Sequence, residues 1–306
     1  MSARELVILG TASQVPTRSR AHHGAFLRFD DHGVLLDPGE GTQRQLMFAD
    51  VSVTNITRIC ITHAHGDHCL GLPGVFQRLA LDRVAHPVDV HFPASAAGTI
   101  AGLRHATPYL DTTDIRLHPT SPGDVVADGS LRIRAAELSH SLPTLGWRFD
   151  EPDGRTMLPE RLEAAGVHGR ARRELATTGR ITIGGRTVHL DDVSTPRPGQ
   201  SVAFVMDTRW CDGAVELAAG VDLLVVEATF LESERDVAEV AGHLTAAQAA
   251  RLGREAGARR VVLTHLSQRY PEPDGHREEA EAAAPGLDLV VAADLDRIPL
   301  PPRRTA

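Results

Sequence analysis

The sequence predicts a layered α/β protein whose sheets are covered by helices. Strand-like runs crowd the first part of the chain, and later runs alternate with segments of helical spacing. The chain has 306 residues, 42% hydrophobic and 24% charged, enough for one large core or two small ones.

ELVILG (5–10) reads as an opening strand. AFLRF and VLLDPG flank DDHG, a hairpin signal. GTQRQLMFAD begins a helix, and RICIT (58–62) is a β-branched strand that ends at a histidine. LPGVFQRLAL has helical spacing. Further strands are predicted at VDVHF, LRIRAAEL, SVAFVMD, DLLVVEA, RRVVLTH and LDLVVAAD. The clearest helix is TAAQAARLGREAG (245–257), with Gly257 as its stop. Residues 150–200 break the pattern, being rich in Pro, Gly, Arg and Thr and poor in strand-like runs, so they read as an insertion or arm within one domain spanning 1–306.

No run of about 18 apolar residues offers a membrane span. MSARELVILG lacks the basic start and apolar stretch of a signal peptide. Three cysteines, Cys60, Cys69 and Cys211, are too few for a disulfide framework. A cytoplasmic protein is expected. All 32 basic residues are arginine, and the net charge of −8 argues against a generally nucleic-acid-binding surface. The stretch 166–190 is a local exception, with Arg170, Arg172, Arg173, Arg180 and Arg186 against Glu174 alone.

Residues 62–68 read THAHGDH and place His63, His65, Asp67 and His68 in one loop after a strand. Neutral imidazole and carboxylate suit zinc, and also manganese or iron. Gly66 is expected to supply a sharp turn there. Two metals need more ligands than one loop offers. His140, Asp207 and His265 each follow an apolar strand as His63 does, and strand ends of open α/β sheets converge on one edge. Cys69 reads as a small buried residue.

At this point the sequence resembles the metallo-β-lactamase-fold hydrolases, and among them the ribonuclease Z family of tRNA 3′-processing endonucleases. THAHGDH alone indicates only the superfamily. PTRSR (16–20), DPGEGTQRQL (37–46), EATF (227–230), GHLTAAQAA (242–250) and THLSQRY (264–270) each resemble a family segment. The resemblance covers about residues 5–295. It implies a four-layer αβ/βα sandwich and two zinc ions per subunit, with manganese or another divalent metal as substitutes. One metal takes His63, His65 and His140, the other Asp67, His68 and His265, and Asp207 bridges them. Val226, Ala21, Val205 and Met206 depart from the family pattern without removing a ligand.

The same resemblance makes Asp67 the acceptor of the attacking water's proton, His243 the general acid, and Glu227 the carboxylate that holds it. Read without the resemblance, His243 is equally a residue beside the start of the TAAQAA helix, with Thr245 as the cap. Arg18, Arg20, Arg269 and Tyr270 are candidates for phosphate or base contacts, or else an ion pair and a packed aromatic. The basic stretch is either a solvated loop or, as the family's arm implies, a tRNA grip through Arg170, Arg172 and Arg173. Arg170 stands where the family's arm has proline. The implied activity is endonucleolytic cleavage of precursor tRNA after the discriminator nucleotide by a homodimer away from membranes. Competing readings are a hydrolase of small phosphodiesters, sulfate esters or lactones, and an RNA-binding scaffold that has lost catalysis.

Overall fold

The computed structural model describes residues 4–123, 125–128 and 131–304, so the first three residues of the opening segment lie outside it. Two compact units are present. The larger holds both main sheets, and the smaller is built mainly from Asp150–Gln200.

The larger unit begins with β1 (Glu5–Gly10), the hairpin β2 (Gly24–Phe29) and β3 (His32–Leu36), and helix α1 (Thr42–Phe48). Then come β4 (Arg58–Cys60), the short helix α2 (Gly66–Cys69) and α3 (Leu72–Leu81). They are followed by β5 (Val88–Pro93), α4 (Ala97–Arg104) and β6 (Ile115–Thr120). Next are β7 (Val125–Asp128), β8 (Leu131–Leu138) and β9 (Thr144–Asp150). The smaller unit contributes β10 (Gly154–Met157), α5 (Pro159–Ala164), α6 (Arg170–Thr178), β11 (Arg180–Ile183), β12 (Arg186–His189) and β13 (Ser194–Arg197). The chain returns through β14 (Ser201–Val205), α7 (Asp212–Ala218), β15 (Leu223–Glu227), α8 (Arg235–Ala241) and α9 (Ala246–Glu255). It ends with β16 (Arg260–Thr264), α10 (Asp274–Ala283), β17 (Asp288–Val291) and β18 (Arg297–Pro299).

Two seven-stranded sheets form, ordered β18-β1-β2-β3-β4-β5-β6 and β17-β16-β15-β14-β9-β8-β7. The pairs from β3 to β6 and from β14 to β17 are parallel. Such strands are buried on both faces, which is why they read as continuous apolar runs. Val7, Leu9, Ile59, Ile61, Val88 and Val90 pack with Leu46 of α1, Val75, Phe76 and Leu79 of α3, and Ile100 of α4. Leu6 and Ile8, on the opposite face of β1, are buried as well. Val205, Leu224, Val226, Val261 and Leu263 pack with Leu217 of α7, Ala249 and Leu252 of α9, and Ala280 of α10. Each sheet thus carries a helix layer, as the expected four-layer αβ/βα sandwich requires.

The smaller unit differs from the strand-poor reading of residues 150–200. It pairs β10 with β13 and β11 with β12, and it buries Leu162, Val167, Leu175, Ile181, Val188 and Val193 in a core of its own. Its hairpin turns on Gly184 and Gly185, both at positive φ (57° and 81°), which a two-residue turn of this kind requires.

Candidate metal centre

Strand ends deliver the site. β4 leads into His63, β8 into His140, β14 into Asp207, β15 ends at Glu227, and β16 leads into His265. His65 precedes α2, whose first turn carries Asp67 and His68. Gly66 opens that helical turn and has no positive φ, contrary to the sharp turn expected of it. At the site, left-handed backbone falls instead on Asp207 (φ 53°), His265 (φ 62°) and Asp37 (φ 43°). Such backbone costs about 1–3 kcal/mol outside glycine and persists where the surroundings over-determine it.

Two donor sets result, sharing one carboxylate. His63, His65, His140 and Asp207 bring one ligand atom each within 4.8 Å of one another, and so do Asp67, His68, Asp207 and His265. His63 Nε2 lies 2.8 Å from His65 Nδ1, and His140 Nε2 is 3.3 Å from the same atom. On the other side His68 Nε2 and His265 Nε2 are 3.2 Å apart, each about 3.5 Å or less from Asp67 Oδ2. Asp207 places Oδ2 3.3 Å from His68 Nε2 and 3.5 Å from His63 Nε2, and Oδ1 3.2 Å from His265 Nε2.

The outward nitrogens fix the rings. His68 Nδ1 donates to Asp37 Oδ2 (2.8 Å), and His140 Nδ1 to the Gly242 carbonyl (2.9 Å). His265 Nδ1 donates to Thr229 Oγ1 (2.9 Å), and His63 Nδ1 to Thr62 Oγ1 (3.1 Å). Asp37 also accepts from Thr62 N and Thr62 Oγ1, and Thr229 Oγ1 donates to Glu227 Oε2. With those N–H groups committed outward, lone pairs face one another inside the pocket. Burial disfavours charge on His68, yet Asp207, Asp67 and Asp37 outweigh it and raise its pKa well above the usual imidazole value. The buried Asp207 Oδ1 has no hydrogen-bond partner. Clustered lone pairs and carboxylates call for positive charge at the centre, and N/O donors of this number fit two divalent cations.

Beside the ligands stands a second device. Glu227, fully buried, accepts from His243 Nδ1 (2.9 Å) and from Thr208 N (2.8 Å). Burial opposes a charge on His243, but Glu227 and Asp207 prevail and lift its pKa to about 9. His243 is also next to a helix start, for Thr245 caps α9 in a capping box with Gln248. Asp67, His65, His140, Asp207, Thr229, Phe230, His243 and Arg269 all line one cleft of about 890 Å³.

Other sequence candidates are placed differently. Arg269 is exposed at that cleft and pairs with Glu234 (3.1 Å). Tyr270 donates its hydroxyl to Glu234, and burial together with this contact pushes its pKa up to about 12. Arg20 is buried and donates to the Ser267 and Tyr270 carbonyls, while Arg18 is exposed. Arg170, Arg172 and Arg173 are exposed on α6 of the smaller unit. Cys69 is buried, with its thiol donating to the His65 carbonyl. Asp37, Thr62, Thr208 and Thr229, which orient the functional side chains, are absent from the sequence candidates.

Comparison with known proteins defines the family. Residues 21–159 match the Metallo-beta-lactamase superfamily model, and 161–266 match the Beta-lactamase superfamily domain. A curated Nocardia farcinica protein named Ribonuclease Z is 57% identical, over 99% of this chain and 100% of that protein. The chain belongs to the ribonuclease Z family. A Salinispora arenicola ribonuclease Z is 53% identical over 99% of this chain and 98% of that one. The crystal structure of human tRNase Z, short form, superposes with a TM-score of 0.69 at 24% identity, covering 97% of this chain and 99% of that chain. At that identity the superposition speaks for the fold. For this ribonuclease Z family member, the fold and the paired His/Asp clusters support binding of divalent metal. No helix among the described residues is long and apolar enough to cross a membrane.

Proposed function

We propose that this chain is a zinc-dependent endoribonuclease that removes the 3′ trailer of tRNA precursors after the discriminator nucleotide. The tRNA keeps a 3′-hydroxyl and the trailer a 5′-phosphate. One observation carries the reading: a donor set for two cations adjoins a carboxylate-backed imidazole in a single cleft. Two divalent cations, zinc or in substitution manganese, would acidify an attacking water, neutralise phosphate oxygens and hold attacking and leaving oxygens in line. The assigned ligands are His63, His65 and His140 on one side, Asp67, His68 and His265 on the other, and Asp207 between.

The chain's own groups divide the remaining work. Asp67 is held well below the usual carboxylate range because His68 and His265 outweigh its burial. It therefore stays ionised and can orient the attacking water by accepting a hydrogen bond, while so weak a base would take that water's proton only if bound cations had acidified it. The ribose 3′-oxygen leaves as the P–O3′ bond breaks and needs a proton. His243, kept charged by Glu227, supplies it. Arg269 at the cleft suits a phosphate, whereas Tyr270 and Arg20 hold the loop that carries it. Arg170, Arg172 and Arg173 would grip the tRNA backbone. A homodimer is part of the same proposal, carried by the family of this chain. Its three cysteines are free, in keeping with the cytoplasm.

The test is a precursor tRNA with a 3′ trailer, incubated with the protein and zinc or manganese, and the ends mapped. Cleavage after the discriminator is expected. An uncut precursor, with efficient hydrolysis of a small ester or cyclic nucleotide, would overturn the proposal in favour of a small-molecule hydrolase.

A further inference from the structure

Asp207 is followed by two residues that reach Glu227, the backbone beside His140 and the helix end before His243. Thr208 N donates to Glu227 Oε1 (2.8 Å), and Thr208 Oγ1 accepts from Ser139 N (3.0 Å), next to His140. Arg209 N donates to the Ser139 carbonyl (2.8 Å) in an isolated antiparallel bridge. The Arg209 guanidinium then reaches the end of α8. Its Nε donates to the Glu239 carbonyl (2.7 Å) and its Nη2 to the Val240 carbonyl (3.2 Å). Cationic donors suit the last turn of a helix, where carbonyls lack partners and the helix dipole is negative.

The last turn of α8 leads straight into the site. Gly242 ends the helix at φ 85°, its carbonyl orients His140, and His243 comes next. A Cβ at Gly242 would lie 2.8 Å from His140 Nδ1 and 3.2 Å from Arg209 Nη1. Arg209, the Gly242 turn and the His140 ring are therefore packed against one another.

We infer that Arg209 is a positioning residue that ties the last turn of α8, and with it the acid His243, to the loops carrying Asp207 and His140. This rests on the proposed role of His243. Arg209 touches no reacting atom. Its side chain is 27% exposed, outside the apolar core. Removing it frees two helix-end carbonyls that water can satisfy, so the fold survives while the turn before His243 loosens.

The experiment compares Arg209→Ala, Arg209→Lys, His243→Ala and the Arg209→Ala/His243→Ala double variant, each with zinc content measured per chain. Two substrates are used: a precursor tRNA, and bis(p-nitrophenyl) phosphate, whose leaving group departs without a proton. Arg209→Ala is expected to keep its zinc and lose about 10- to 100-fold in kcat on the precursor, with KM changed far less, a partial loss of the roughly 100- to 10,000-fold that general acid catalysis contributes. Its loss on the nitrophenyl ester is expected to be several-fold smaller. Arg209→Lys should recover part of the deficit. The double variant should cut precursor no more slowly than His243→Ala, because both changes remove one function. Multiplicative losses in the double variant, parallel losses on both substrates, loss of zinc, or unaltered precursor cleavage by Arg209→Ala would each overturn the inference. Failure of the unsubstituted chain to cut the precursor would instead overturn the proposed function.

Discussion

Asp37 illustrates how a residue outside the donor set can govern it. Its buried carboxylate accepts from His68 Nδ1, from Thr62 N and from Thr62 Oγ1, and Thr62 in turn accepts from His63. One carboxylate thus orients an imidazole in each half of the site. Replacing Asp37 with Asn should weaken metal affinity about 10- to 100-fold. Chelator competition would measure it, and excess zinc should restore most activity. Equal affinity in the variant and its parent would refute the role. Glu227 is different, since it acts on His243 directly and on His265 through Thr229. Glu227→Gln removes the charge that keeps His243 protonated, so precursor cleavage should fall at least about tenfold while bis(p-nitrophenyl) phosphate hydrolysis falls much less. Parallel losses would argue against the acid assignment. His63, His140, Asp207 and His265 are legible in the sequence because each follows an apolar run. Asp37 follows VLL in the same way, so it carries the same signal. Thr229 and the Gly242 carbonyl are not legible, because hydroxyls and carbonyls carry no ligand signature in a sequence.

Elements are legible where both faces of a strand are buried. VDVHF, SVAFVMD, DLLVVEA and RRVVLTH form β5, β14, β15 and β16, and LPGVFQRLAL forms α3 residue for residue. β6 escapes sequence reading because IRLHPT has only its ends buried and includes a proline. The smaller unit escapes it for a related reason. Six buried apolar residues spread over more than thirty positions give no periodic signal, yet two helices and two ribbons bring them together. That small core bears on how the arm should be tested. Deleting it would remove a folded body, whereas Arg170 and Arg173 are exposed on α6 and Arg172, also exposed, makes one bond from Nε to the Val167 carbonyl (3.2 Å), so each can be changed singly. Reversing all three to Glu should raise KM for precursor tRNA about tenfold or more and flatten its salt dependence. Thermal unfolding should shift little, and bis(p-nitrophenyl) phosphate should still be hydrolysed. Equal loss on both substrates would refute the grip.

For the molecule as a whole, two buried imidazoles away from the metal centre set a limit on acid stability. Burial, with the nearby Arg58 and His118, presses His91 down to a pKa of about 4. Burial and Arg20 press His276 down to about 4 as well. Both rings are 4% exposed or less, so neither is relieved by water. Unfolded, each returns to about 6.5. Between those values the unfolded chain binds more protons than the native one, so stability is complete above about pH 6.5 and is lost as pH falls toward 4. Each shift corresponds to about 3 kcal/mol, and two of them rival a sizeable part of the roughly 5–15 kcal/mol that holds a typical domain folded. His91→Gln cannot take up that proton and is neutral at every pH. With both proteins held at the same zinc concentration, the fall in Tm between pH 7 and 4.5 should be smaller in the variant by about 5 °C. Metal release contributes to both proteins alike and drops out of the difference. Identical acid limbs in variant and parent would show that protonation of His91 does not drive the loss, and the buried polar cluster of Arg58, Asp89, His91 and His118 would then have to accept the charge without unfolding.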